Sequence, residues 1–406
     1  MKSLNLAKML VKQEFLFLFL FLFLPQKNFY AYYGVFIFVL IFIILLNKKY
    51  ISFYRKNLQI FTVFIIFILT FLLYKVLLYE NIFDIKELLK IVLFFLIYIT
   101  TLSLQKINLE QLAKWFFIYI SIDFLVSIAQ FIHLDFFVLD YIQNIYNAEK
   151  HIAISLSYIS SRTLGLSPGP GQHAVFSLLI FIFLITSSIF GVSRKYKYFG
   201  SLIAFFSLML SQSKTVILVS LVTFISLSFF IFLYKNRKYK VYLFLIIITI
   251  VSLFIYNFEN LMIIFEQLRR LQNVGLETSS MIQRFEMWNN MYEPILNSNI
   301  FYFLFGAGRS YLTYMDVHNT FFDSDYVYMF VNYGFVGLLI YILYIFYFLT
   351  RYTFIFHKIP LLMKILYIMI LSGTIIGLSL SFIIDIKVLS LFAILYALKS
   401  KIGNEK

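Results

Sequence analysis

The sequence predicts an all-α, polytopic integral membrane protein with about 12 transmembrane helices and a large helical extracytoplasmic loop. Long apolar runs alternate with short polar breaks along the chain. A bilayer core of roughly 30 Å needs roughly 20 apolar residues of helix, and the sequence supplies that unit repeatedly. Aromatic residues make up 21% of the chain, and the mean hydropathy is +0.89. Because no soluble fold buries so much apolar surface, we expect a single transmembrane domain over residues 1–406.

The apolar runs place the membrane helices one after another. The N-terminus carries Lys2, Lys8 and Lys12 before an apolar run and resembles a signal peptide in this respect. No small-residue cleavage site follows Leu24, so we expect Pro25 to end a retained first helix. In chain order, we predict spans at residues 6–24, 30–46, 57–78, 88–105, 112–134, 172–192, 197–211, 214–234, 241–257, 326–350, 361–384 and 387–399.

Basic residues collect in every second break, and this pattern predicts the orientation. Most of the 34 Lys and Arg residues fall on the side of the breaks near residues 47–56, 193–197 and 235–240, together with both chain ends. The positive-inside rule makes this side cytoplasmic, so both termini are expected there. The net charge of +15 is therefore an orientation signal, and we expect no nucleic-acid partner. The absence of Cys excludes disulfides and thiol catalysis.

Two loops, at residues 135–171 and 258–325, are too long to be simple connections, and both are predicted on the outer side. The second loop keeps helical patterning. Apolar residues recur at helical spacing over residues 261–271, and a second segment starts at Ser280, where Gln283 completes a capping box. Its Met281, Phe285, Trp288 and Tyr292 form one stripe.

Residues 162–173 of the first loop contain three glycines and two prolines, which preclude a regular helix. Arg162 and His173 bound this segment. Its backbone N–H groups could bind an anion beside the start of the next helix, or the segment could be a rigid turn. Further on, Lys214 lies among hydroxyl residues where two apolar runs meet. It could reach a phosphate or extend to the membrane surface.

The second loop holds the other candidates. Arg284 lies one turn from Trp288, and a guanidinium matches phosphate oxygens bidentately. A later cluster offers general-base candidates and further charge; it comprises Arg309, Asp316, His318, Asp323 and Asp325. Its carboxylates could also hold a divalent cation, but they lack an ordered ligand-loop signature, which makes metal the weaker interpretation.

Asp123 and Gln130 fall inside the fifth predicted span. An intramembrane carboxylate indicates a functional site or a paired structural role. The chain has no nucleotide-binding G-x-x-x-x-G-K-[ST] motif, so any reaction must use an activated substrate or a gradient. We expect no cofactor.

Several short motifs resemble the O-antigen polymerase and ligase superfamily of bacterial envelopes, as does the arrangement of about twelve spans with a large late loop. The motifs are Arg162-x-x-Gly165, Ser211-x-Ser213-Lys214-Thr215, Arg284-Phe-x-x-Trp288, and the stretch from Gly306-x-Gly308 to Asp316-Val-His318-Asn319. Ligases of this superfamily carry H-[NSQ]-x9-G-x-x-G. Counting back from Gly334-x-x-Gly337 reaches Asp323-Ser324 instead of a His, which favours a polymerase.

The resemblance implies glycosyl transfer at the outer face of the bacterial cytoplasmic membrane. The donor would be an oligosaccharide on undecaprenyl pyrophosphate, with membrane lipid around it. Partners would include a flippase and a chain-length regulator. The resemblance assigns the roles as follows: a cationic clamp of Arg284, Arg162 and Lys214; a base, His318 or Asp323; and further pyrophosphate or glycan contacts from Arg309, Trp288 and His173.

Two other functions fit parts of the pattern. A ligase would move finished chains onto lipid A core or another acceptor. A lipid-linked oligosaccharide flippase or an ion-coupled carrier would place charged, broken helices near the bilayer midplane. Asp123 is the clear midplane charge here, whereas most polar residues fall in the outer loops.

Overall fold

The computed structural model describes residues 2–25, 29–47, 83–132, 134, 145, 162–192, 194–233, 279–298, 300–308, 311–312, 324–378, 380, 382 and 385–404. Within these ranges the long elements are all α-helices and no strand occurs, so the predicted all-α fold class is confirmed. The helices are α1 (Lys2–Phe23), α2 (Phe29–Leu46), α3 (Phe83–Ser103), α4 (Leu109–Phe131), α5 (Pro170–Ile189), α6 (Lys195–Leu210), α7 (Lys214–Leu233), α8 (Ser279–Leu296), α9 (Ile300–Phe305), α10 (Asp325–Thr353), α11 (Leu361–Ile376) and α12 (Ile386–Asn404).

Ten of the twelve predicted spans coincide with a helix, and the spans at 57–78 and 241–257 lie outside the described residues. Helix α8 begins one residue before the predicted Ser280. In the part of the chain that the structure describes, α4, α5 and α10 are long and apolar enough to cross a bilayer. Shorter apolar stretches lie in α1, α2, α3, α7 and α11.

The described helices fall into two compact units. The first holds α1 to α6, the start of α7 through Val222, residues Ser324 and Asp325, and helices α11 and α12. The second holds α7 from Thr223, helices α8 and α9, and α10 after Asp325.

Helix α5 forms the centre of the first unit. Every residue from His173 to Ile189 is buried, and the helix packs against α4, α6 and α11. Helix α10, by contrast, presents an exposed apolar face, as a membrane-spanning helix can.

At one end of the first unit lie polar segments between helices that the charge pattern predicts to be on the same side of the membrane. The Glu110 carboxylate pairs with Lys197 at 2.7 Å and with Arg194 at 3.1 Å. Lys401, near the chain end, donates to the Leu104 carbonyl at 2.6 Å. These contacts bring residues 104–110, 194–197 and the end of α12 together, as the predicted alternation of sides requires.

The predicted span at 361–384 ends too late. Helix α11 stops at Ile376, and the described residues that follow it, 377, 378, 380 and 382, are not helical. Asp385 accepts from the Lys387 N–H at 2.8 Å and from the Val388 N–H at 3.1 Å at the start of α12. Phe382 is buried, and its N–H donates to Asp325 rather than continuing the helix, whereas Leu378 is exposed.

A glycine contact shapes the second unit. Helix α10 is kinked at Gly334, whose φ is 67°, and Gly306 has a φ of 81°. A Cβ on Gly334 would meet the backbone of Leu304 and Gly306, and a Cβ on Gly306 would meet the backbone of residues 332–334. Two backbones therefore approach here at a distance that only glycine permits.

We predict that Gly334→Ala destabilises the protein by at least about 1–3 kcal/mol, because it combines a left-handed φ with a backbone clash. Gly34→Ala in α2 is the matched control, since a Cβ there meets nothing within 4 Å. Thermal unfolding of the purified protein measures both. Equal unfolding temperatures for the two variants would contradict the proposed role of this contact.

Candidate functional site

The candidate site is built around an irregular buried segment, residues 162–169, that leads into α5. Its side chains from Thr163 to Ser167 are buried, although the segment has no helical hydrogen bonding of its own. Thr163 N–H donates to the Leu210 carbonyl at 3.2 Å, and Ser167 N–H donates to the Leu164 carbonyl at 3.1 Å. The remaining backbone groups must be satisfied by side chains, because a buried amide without a partner is costly.

Gln130, from the end of α4, satisfies three of them. Its Oε1 accepts from the Leu164 N–H at 2.8 Å and the Gly165 N–H at 2.9 Å. Its Nε2 donates to the Gly165 carbonyl at 3.3 Å. The side chain thus takes the place of a neighbouring backbone.

Asp123 lies two turns earlier on α4 and is fully buried. Its Oδ1 accepts from the Leu166 N–H at 2.8 Å. Its Oδ2 lies 2.8 Å from His173 Nε2 and accepts from Ser207 Oγ at 2.8 Å. Sequence analysis leaves a functional and a paired structural role open for Asp123, and the structure shows the pairing.

Lys387, in the first turn of α12, is the third side chain that binds the backbone of this segment. Its Nζ donates to the Leu166 carbonyl at 3.0 Å and to the Tyr119 hydroxyl at 3.3 Å. It lies over the rings of Tyr119 and Phe176, at 5.2 and 5.7 Å from their centroids. Lys387 was not among the residues predicted from the sequence, because a Lys at the edge of a span is usually a boundary residue. The adjacent Asp385-x-Lys387 pair was the available signal.

The segment places Arg162 beside the break between α6 and α7. Arg162 Nε lies 3.5 Å from the Ser211 carbonyl, and Lys214 begins α7 three residues further on. Partial burial lowers the pKa of the Arg162 guanidinium from its usual value. That usual value lies so far above neutrality that the group stays charged. The segment of Arg162 and the segment that leads to Lys214, which the resemblance assigns to one cationic clamp, are therefore adjacent.

His173 lies behind this segment. It is 1% exposed, its Nε2 faces Asp123, and its Nδ1 lies 3.3 Å from the Thr163 carbonyl. Ser207 Oγ is a further neighbour of Nε2, at 2.9 Å. In this structure His173 holds the loop, and its predicted contact with pyrophosphate or glycan stays a prediction.

In the second unit, Arg284 and Trp288 lie on α8, and both are partly buried. Met291 and Ile295, one and two turns beyond Trp288, are fully buried, so these residues share the packed face of the helix. The packed face of α8 therefore differs from the apolar stripe predicted through Phe285 and Trp288. Phe285 is exposed, although its ring meets the Trp288 ring edge-on. Arg284 continues the packed face towards the start of the helix.

Asp325, one of the carboxylates weighed as a base, has a structural position. It is fully buried, its N–H donates to the Gly377 carbonyl at 2.9 Å, and its Oδ1 accepts from the Phe382 N–H at 2.9 Å. Ser324 Oγ also donates to the Gly377 carbonyl, at 3.0 Å. These contacts join the start of α10 to the segment after α11, and they occupy the carboxylate away from water.

Arg309, Asp316, His318 and Asp323 lie outside the described residues. Among the residues that the structure does describe, no three His, Asp or Glu side chains converge as metal ligands would. The roles predicted for these four residues stay predictions.

Residues 199–342 match the family model described as O-antigen ligase. The match covers roughly a third of the chain, and it supports the resemblance to the polymerase and ligase superfamily and a glycan-related function. It spans Lys214, Arg284 and Trp288 but not Arg162 or His173. The search of curated proteins found no match to the chain.

We predict that Asp325→Ala lowers the unfolding temperature and the amount of protein in the membrane, because it leaves a buried amide unpaired at a cost of about 1–3 kcal/mol. Asp325→Asn keeps an acceptor for the Phe382 N–H and should be close to the parent in both stability and activity. A stable but inactive Asp325→Asn protein would instead make Asp325 a chemical participant.

Proposed function

We propose that this chain polymerises lipid-linked oligosaccharide repeat units into a surface polysaccharide, such as the O-antigen of lipopolysaccharide or a capsule. The donor is an oligosaccharide chain on undecaprenyl pyrophosphate, and the acceptor is a sugar hydroxyl of the next repeat unit. The observation that carries the proposal is the fixed position of Arg162 beside the α6–α7 break at Ser211, where Lys214 begins a helix.

The chemistry of the leaving group explains why cations matter. When the anomeric C–O bond breaks, negative charge grows on the pyrophosphate. Fixed cations then stabilise the transition state more than the ground state. We assign Arg162, Lys214 and Arg284 to this clamp, with Arg309 and Trp288 as further contacts to the pyrophosphate or the glycan.

The acceptor hydroxyl must lose its proton as it attacks. His318 or Asp323 is the proposed base. Attack from the face opposite the pyrophosphate inverts the anomeric centre, so the reaction is a glycosyl transfer in which a C–O bond to the acceptor replaces the bond to phosphate. Holding both lipid-tethered substrates in the membrane surface supplies much of the remaining acceleration. The proposed reaction uses no metal or cofactor.

The two ends of the first unit support the proposed location. Glu110 lies at the start of α4 and Gln130 near its end, so the Glu110–Lys197 cluster and the loop of Arg162 lie at opposite ends of the same helices. We place the basic end and both termini in the cytoplasm and the Arg162 end outside, in a bacterial cytoplasmic membrane. A flippase that delivers repeat units and a regulator of chain length are the expected partners.

A ligase is the second candidate, because the matching family model is described as O-antigen ligase. The clamp would be the same, since both reactions release undecaprenyl pyrophosphate from a glycan donor. The two differ in the acceptor, which is a further repeat unit for a polymerase and lipid A core or another final acceptor for a ligase.

Envelope glycan from a deletion strain separates these functions. Loss of a polymerase should leave single repeat units on the final acceptor, whereas loss of a ligase should leave no glycan on that acceptor. We predict that Arg284→Ala fails to restore polymer in this strain at normal protein level, with at least about a hundredfold loss of product. Glu286→Gln, on the exposed face of the same helix, is the control. Full-length polymer from Arg284→Ala would remove Arg284 from the clamp.

The base is tested by two separate substitutions. We predict that one of His318→Ala and Asp323→Asn abolishes polymer, because loss of a general base typically costs about 10²–10⁴-fold. Polymer on a gel, normalised to protein in the membrane, is the measurement. Parental polymer from both variants would discard both residues as the base.

A further inference from the structure

Side chains hold the backbone from Thr163 to Leu166 almost completely. The Thr163 N–H and the Leu164 carbonyl have backbone partners, at 3.2 and 3.1 Å. The other N–H and C=O groups meet side chains on α4, α5 and α12, which belong to Gln130, Asp123, His173 and Lys387. All backbone N–H and C=O groups of these four residues therefore have hydrogen-bond partners, although the segment is not part of a helix.

The Leu166 peptide groups are held by two opposite charges. Asp123 accepts from the Leu166 N–H, and Lys387 donates to the Leu166 carbonyl. Both side chains are at least 98% buried. Burying two charges is unfavourable unless each is paired and hydrogen-bonded, and apolar packing often stabilises a protein at least as well. Charges used in this way favour a role in defining one backbone conformation.

This backbone leads directly to Arg162. The Thr163 N–H is bound to the Leu210 carbonyl, and Arg162 Nε reaches the Ser211 carbonyl from the neighbouring residue. A shift of the loop at Gly165 or Leu166 therefore displaces the guanidinium through three or four peptide units, respectively. Gly165 has little room for movement, since a Cβ there would lie 2.7 Å from His173 Nε2.

We propose that Asp123, Gln130, His173, Ser207 and Lys387 form a positioning network that fixes Arg162 for binding of a diphosphate. In this proposal the network acts through the loop backbone, so that His173 positions Arg162 instead of making the direct contact with the ligand that the resemblance implies. The network removes the conformational freedom that Arg162 would otherwise lose on binding, so the bound geometry exists beforehand. The diphosphate as the ligand of Arg162 rests on the proposed function, whereas the fixed position of Arg162 does not.

Ser207 offers the mildest test. Ser207→Ala removes one hydroxyl that donates to Asp123 and changes little volume. Ser201→Ala on the same helix is the matched control, because the Ser201 hydroxyl donates only to the Tyr198 carbonyl of its own helix. A stronger pair is Asp123→Leu against Asp123→Asn, since the amide keeps an acceptor for the Leu166 N–H and a polar atom towards His173.

The first measurement is independent of function. Purified full-length protein in detergent is treated with trypsin, and cleavage after Arg162 is followed by mass spectrometry. The Arg162–Thr163 bond should be protected in the parent, in Ser201→Ala and in Asp123→Asn. Cleavage there should rise about tenfold in Ser207→Ala and further in Asp123→Leu, with other sites unchanged. Unchanged cleavage at this bond, or an equal rise at all sites, would overturn the positioning role.

The second measurement uses undecaprenyl pyrophosphate as the probe. We expect Ser207→Ala to raise its Kd about tenfold in the parent background and less than about twofold in an Arg162→Ala background, because the network acts through Arg162. Equal effects in both backgrounds would overturn the proposal. If no variant and no parent protein binds the probe while protection at Arg162 still follows the network, the proposed function fails and the positioning role stands.

Discussion

The site depends on one constraint: each buried backbone N–H and C=O group inside the helical bundle needs a hydrogen-bond partner. A chain that leaves the helical conformation among buried apolar helices must find partners for each N–H and C=O, because neither lipid nor apolar side chains supply any. Gln130 and Asp123 supply them on one side of the loop, and Lys387 supplies one on the other. The loop can therefore have a conformation that serves a ligand, since its own stability comes from the surrounding helices.

The same constraint explains why polar side chains lie where the sequence is otherwise most apolar. His173 and Ser207 belong to α5 and α6, and both side chains are buried. Each contacts Asp123, whose carboxylate would be strongly destabilised without such donors. Asp325 repeats the arrangement at the start of α10, where a buried carboxylate accepts an amide of an irregular segment. Irregular backbone and buried carboxylates thus occur together at both places.

The sequence predicts the positions of most helices better than it predicts the contacts between distant parts of the chain. Apolar runs and charged breaks are local, so α1, α4 and α7 begin and end within a few residues of their predicted bounds. The end of α11 is not local: it depends on Asp325, about fifty residues earlier in the chain, binding the Gly377–Phe382 segment. Lys387 escaped sequence analysis for the same reason, because its partner at Leu166 is set by tertiary packing. The motifs that contain Arg162 and Lys214 can be recognised in the sequence, whereas the contact between their two segments is seen only in the folded structure.

The position of Lys214 strengthens the argument for an anionic ligand. A cation in the first turn of a helix opposes the helix dipole and costs up to about 1 kcal/mol. Arg162 adds a second cation from a neighbouring segment, bound to a backbone carbonyl rather than to a carboxylate in the contact described above. Anions are favoured near a helix N-terminus, and a guanidinium group can bind phosphate oxygens bidentately. The Arg162 segment and the start of α7 therefore support the anionic ligand of the proposed function.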